Sequence, residues 1–200
     1  MTFRRRALVS ILAVLLSMMA IAQGPPPVVR GVIVSLTHDA ITVKTPDAKP
    51  QTIPLAADWT VSVLKPIGIE AIQPGSFIGT AEVPQKDGTG RSLEVHVFPP
   101  GVKTGEGHYA WDTHNGSMMT NGTVGKVTSS PKGRELIVSY PTGERHIIVP
   151  QNVPVMQITS GDRAALKPDL PALLILSPRP DGKLAVSSVS ITASGVPAPM

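Results

Sequence analysis

Ile41-Thr42-Val43-Lys44-Thr45-Pro46 is answered later in the chain by Leu136-Ile137-Val138-Ser139-Tyr140-Pro141. Both stretches are short runs rich in β-favouring residues that stop at a proline, the signature of a short strand bounded by a turn. The correspondence extends outward. Ala71-Ile72-Gln73-Pro74 matches Ala165-Leu166-Lys167-Pro168, and Lys86-Asp87-Gly88 matches Pro180-Asp181-Gly182. Residues 31–98 and 122–191 therefore share one order of β-type runs and turns, and a repeat of this size predicts two copies of one small unit.

In the first copy the pattern predicts strands near 31–36, 40–45, 51–54 with 59–63, 76–82 and 91–98. In the second it predicts 122–128, 135–140, 145–149 with 153–158, 171–177 and 184–191. A helical turn is expected before Pro74 and again before Pro168, where proline ends it. Five strands with a helical turn between the third and fourth is the order of an OB-type barrel. The expected fold is all-β: two tandem OB-fold-like barrels, with a small sandwich as the competing architecture. Leu93, Val95 and Val97 alternate with Glu94 and His96, which places His96, like His146, on a polar face. Trp59 and Phe77 are expected in the core.

Arg4-Arg5-Arg6, an apolar run from Ala7 to Ala22 and the closing Ala20-Ile21-Ala22 form a secretory leader over residues 1–22. Residues 23–30 read as a proline-rich arm, and 192–200, without alternation, as a mobile tail. The chain has 18 Lys and Arg against 14 Asp and Glu, but three of the 18 are the leader arginines, so the remainder is nearly neutral. With only 4% aromatic residues as well, a nucleic-acid groove is disfavoured. Cysteine is absent, which excludes disulfides and thiolate chemistry. After the leader no apolar stretch reaches the roughly 20 residues that a spanning helix needs. The expected location is the periplasm.

Residues 99–121 belong to neither copy and read as a connector. Glu106, His108, Asp112 and His114 fall there, followed by Met118 and Met119. Two imidazoles with carboxylates suit copper, zinc or nickel, and thioethers favour copper(I). The simpler expectation is that Trp111 and Tyr109 fill the groove between the two units while His108 and Asp112 satisfy backbone groups. Ser117 near His108, His114 and Asp112 allows a hydrolytic triad to be drawn, but nothing in the sequence supplies an oxyanion hole. No Gly-x-Ser-x-Gly elbow, His-Glu-x-x-His or phosphate loop occurs.

Phe98-Pro99, Gly105-Glu106-Gly107-His108-Tyr109-Ala110-Trp111-Asp112, Met119-Thr120-Asn121-Gly122-Thr123-Val124, Gly161-Asp162-Arg163-Ala164 and the terminal Pro199-Met200 resemble a group of small exported proteobacterial proteins. That group is similar to families of exported β-rich repeats without an established activity, so the resemblance supplies no functional residue. Its members often carry the label of a metal transporter permease, which needs several membrane helices that this chain lacks. The expectation is a non-enzymatic periplasmic module that binds a protein or cell-envelope partner. The alternative is a metal-binding protein using the connector, and a hydrolase comes last.

Overall fold

The computed structural model describes residues 26–131 and 133–193. The expected leader, the start of the arm and the tail from Ser194 lie outside the described residues. Thirteen strands follow in order: β1 Val28–Leu36, β2 Ala40–Lys44, β3 Pro50–Ile67, β4 Phe77–Pro84, β5 Gly90–Ser92, β6 Val95–Val97 and β7 Gly107–Ala110. Then come β8 Met118–Ser130, β9 Gly133–Tyr140, β10 Gly143–Val149, β11 Val155–Ser160, β12 Pro171–Pro178 and β13 Leu184–Thr192. Among the described residues the only helical pieces are three-residue 3-10 turns, Ile69–Ala71 and Arg163–Ala165. The fold is all-β, and the helical turn expected in each copy is reduced to these.

A five-stranded barrel closes through β1, β2, β3, β13 and β12. β1 pairs with β2 and β12, β2 with β3, and β12 with β13, all antiparallel. β13 then runs parallel to β3, Ser188 to Thr192 against Thr60 to Leu64, and completes the ring. The remaining strands repeat the arrangement. β8, β9 and β10 pair in sequence, β5 runs parallel to β10, and β4 returns from β5 to β8.

This pairing corrects the expected tandem arrangement. Neither 31–98 nor 122–191 closes a barrel from its own strands. The first ring takes β1–β3 from the first copy and β12–β13 from the second, and the other ring takes β8–β10 from the second copy and β4–β5 from the first. The two rings meet where β3 lies antiparallel to β11, from Val155 beside Ile67 to Ser160 beside Ser62. Smaller boundaries shift too. Val28 to Arg30 of the expected arm are strand, Thr192 of the expected tail ends β13, and Met118 to Asn121 of the connector open β8.

The cores follow the exchange. Ile33, Ile41 and Val43 pack with Leu174, Val186 and Val189 in the first ring. Val124, Leu136 and Val138 pack with Ile78, Val95 and Val97 in the other. Trp59 is buried in the first core, and Phe77 is buried against Phe98 with ring centres 5.3 Å apart. Each fully buried Leu, Ile or Val contributes about 1.5–3 kcal/mol, so each copy depends on apolar area supplied by the other.

Candidate functional site

β6 carries Val95 and Val97 into the barrel core, so the strand period turns Glu94 and His96 to its opposite face. That face is not open to solvent. β6 is flanked by β11 and β4, with His96 beside Met156 on one side and Gly79 on the other. His96 is 3% exposed and Glu94 is 0% exposed, which corrects the expected surface position of His96. His146 does lie at the surface.

His96 Nε2 stands 2.9 Å from Glu94 Oε2. The approach is off-axis, and neither atom has a well-aligned hydrogen bond among the described residues; Glu94 Oε1 has none either. Burying such groups without partners costs on the order of 1–3 kcal/mol each, so the pair is a place where the fold tolerates a penalty. The carboxylate behind the ring favours the Nε2–H tautomer, which leaves Nδ1 as an acceptor.

His96 lines a groove of about 440 Å³ between the two rings. β3 and β11 contribute Ser62 and Ile158, β12 and β13 contribute Leu173 and Ser190, and the connector contributes Tyr109 and Trp111. Ser190 is the counterpart of His96 in the repeat, so one side of the groove carries a hydroxyl where the other carries an imidazole.

The connector forms its wall. β7 pairs with the start of β8, Tyr109 opposite Met119 and His108 opposite Thr120. Alternation sends Tyr109 toward the groove and His108 away from it. Asn121 donates to the Tyr109 hydroxyl at 2.7 Å and to the Gly105 carbonyl at 2.9 Å. Burial raises the Tyr109 pKa, and the Asn121 bond opposes this. Arg30 of β1 forks onto Asp112 with two bonds of 2.9 Å and lies 5.8 Å from the centre of the Trp111 ring. The connector is thus hydrogen-bonded to one barrel and clamped to the other.

The six residues expected to hold a metal are dispersed by this geometry. His108 bonds the Thr120 hydroxyl at 2.8 Å and stacks on Tyr140, Asp112 is held by Arg30, and Glu106 and His114 are exposed. Met119 faces the groove opposite Tyr109, and Met118, one residue earlier, faces away. No group of three or more His, Asp or Glu side chains able to hold a metal occurs among the described residues. The Ser117 hydroxyl is engaged with the backbone of Trp111 and His114.

Comparison with family models, curated proteins and solved structures returned no match to this chain. The site therefore stands on its own chemistry. Glu94 and His96 escape a reading that takes the polar face of a strand to be the wet one. Their signal lies in the repeat. Glu94 and His96 stand where the second copy has Ser188 and Ser190, and Glu82 stands where it has Leu176. A charged or titratable residue replacing a small or apolar one at a symmetric position is the feature that finds them.

Proposed function

We propose that this chain is an exported, non-enzymatic binding module of the periplasm, built as two OB-like barrels that exchange strands and hold their ligand in the groove between them. The observation that carries this is the groove itself, whose lining includes the ring of the buried His96, with Glu94 behind it, and whose wall is the clamped connector. The ring order β1-β2-β3-β13-β12, with one parallel pair, supports the OB-like description. The leader over 1–22 and the resemblance to exported proteobacterial repeats support the location. The partner is a protein or a component of the cell envelope.

The test is site-specific photocrosslinking in cells, with benzoylphenylalanine at Tyr109 in the groove or at exposed Lys126 on an outer strand. Adducts should form in the periplasmic fraction from position 109 and not from 126, and Ser188→Met, which lengthens a groove side chain, should remove them. Adducts of equal yield from both positions, or from neither, would overturn the proposal.

A further inference from the structure

The groove has an unusual chemical balance. Nine of its 24 lining residues carry a hydroxyl, and none is Asp, Glu, Lys or Arg. Arg30 and Asp112, which hold Trp111, neutralise each other. A phosphate, carboxylate or ammonium group entering here would lose its hydration without meeting an opposite charge, which is strongly unfavourable. The lining nevertheless offers many hydrogen bonds: Thr60, Ser62, Ser160, Ser188 and Ser190 are interspersed with Leu64, Ile158, Leu173 and Ile175. A suitable ligand must present hydroxyls and apolar patches close together and carry no net charge.

Two further observations point to an occupant. Trp111 lines the groove, and its Nε1 is buried with no partner among the described residues. His96 Nδ1 is not among the fully buried unpartnered atoms, and its ring lines the groove. With Nε2 turned toward Glu94, the acceptor edge of His96 is what an incoming O–H meets. Tyr109, Trp111 and Phe98 bring aromatic rings to the groove, the first two meeting edge to face at 62°, and the C–H face of a sugar ring packs on such a ring. Asn121 lies across Gly79, where a Cβ would collide with its side-chain oxygen; the repeat counterpart of Gly79 is Leu173. The missing side chain leaves room for Asn121 at the end of the groove nearest Tyr109. The volume of about 440 Å³ falls within the range of small-molecule sites.

We infer that the groove binds a neutral saccharide, with His96 accepting a sugar hydroxyl and the Tyr109–Trp111 wall packing against a ring face. This inference rests on the groove being the ligand site. The same chemistry is offered by a free oligosaccharide and by a glycan strand of the cell wall.

The chain from Gln23 onward is titrated calorimetrically with maltotriose, cellotriose and triacetylchitotriose, with glucose 6-phosphate as the charged control. Cosedimentation with purified murein sacculi separates the polymeric source from the soluble one. At least one neutral sugar should bind saturably, and Ser188→Met and Trp111→Leu should each weaken it about tenfold or more, as loss of a buried contact does. Ser188→Met should retain the fold, since its repeat counterpart is the equally long Glu94. Absence of heat from every neutral sugar and of sacculus binding overturns the inference, as does equal affinity for glucose 6-phosphate. Nile red fluorescence then separates the two failures. If the dye enters and Ser188→Met excludes it, the groove stands and only the saccharide falls; if it does not enter, both fall.

Discussion

At Glu82 the repeat places a carboxylate where its twin has Leu176, and both positions point into a barrel. Glu82 is 0% exposed and bonded to Arg145 at 2.6 Å, while Arg145 also donates to the carbonyls of Gly88 and Thr89. Removing one partner of such a pair strands the other, so Arg145→Gln should cost about 3–5 kcal/mol. The double variant Glu82→Leu with Arg145→Gln, which installs the residues of the other copy, should recover most of that in urea denaturation. A double variant as unstable as the single one would show that the pair is required for the fold itself. Burial raises the Glu82 pKa, and the Arg145 hydrogen bond and charge oppose this. Only between the ordinary and the raised value does the folded chain hold a proton that the unfolded chain releases. Its contribution is complete below the ordinary carboxyl pKa near 4.5 and is lost as pH rises through the elevated value. The stability of the native protein relative to Glu82→Gln should therefore increase on acidification, measured as the difference in urea midpoints. None of this is visible from Glu82 alone in the sequence. The alternation of Thr80, Glu82 and the residues around them resembles a half-exposed strand, and only the twin Leu174 and Leu176 reveal that these positions face a core.

The strands themselves are much more legible than the side chains they bury. β2 was readable because Ile41 and Val43 are fully buried while Thr42 faces Thr52 at 2.9 Å on the outer side. The bulge in β1 between Ile33 and Ser35 recurs in β8 between Val124 and Lys126. Next to each bulge a glycine crosses the neighbouring strand. A Cβ on Gly31 would stand 2.7 Å from the Lys44 carbonyl oxygen, and one on Gly122 would stand closer still to that of Ser139. Backbone cannot yield as a side chain end does. Gly31→Ala and Gly122→Ala should each destabilise by about 1–3 kcal/mol, with Gly122→Ala the worse, as read by thermal melting. The third strand shows where element boundaries could not be read. β3 runs unbroken for 18 residues, whereas its counterpart splits into β10 and β11 around Pro150 and Pro154, which supply no backbone donor. β7 was hidden inside the connector because four residues of strand carry too little alternation to register. Its docking should be pH-sensitive. Burial, and then the positive charge of Arg145, hold the His108 pKa below 6.5. The neutral ring stabilises the fold above that value, and the contribution is lost as pH falls through the depressed folded pKa. The stability difference between native protein and His108→Gln should shrink on acidification, opposite in sign to the Glu82 effect. A difference that stays flat across that interval would mean that His108 titrates the same way in both states.

For the molecule as a whole, the sequence specifies strand faces and turn positions but not which copy completes which ring. Residues 77–84 and 171–178 are near-equivalent in pattern, and either could in principle lie against β1 or β8. What decides is that the chain passes from β3 to β4 beside the β3–β11 seam, so that β4 enters the other ring and pairs with β8. The exchange makes the pairings long-range: Val28 lies beside Ile175, and Phe77 beside Thr123. Such contacts give slow folding, because loops must close before any barrel is complete. They also make each half dependent on the other. Cutting the chain in the exposed stretch before β7 separates a fragment ending at Gly101 from one starting at Val102. The first then holds β1–β6 without β12 and β13, and the second holds β7–β13 without β4 and β5. Neither fragment should fold as a monomer by circular dichroism and analytical ultracentrifugation; each should be unstructured or, at high concentration, a symmetric dimer that exchanges strands with itself. Mixed together, the fragments should restore the native spectrum, with a melting temperature that rises with concentration, because the connector no longer supplies an effective concentration. A single fragment that sediments as a folded monomer would show that one copy can complete a barrel alone, and the strand exchange would then be a consequence of linkage rather than a requirement of the fold.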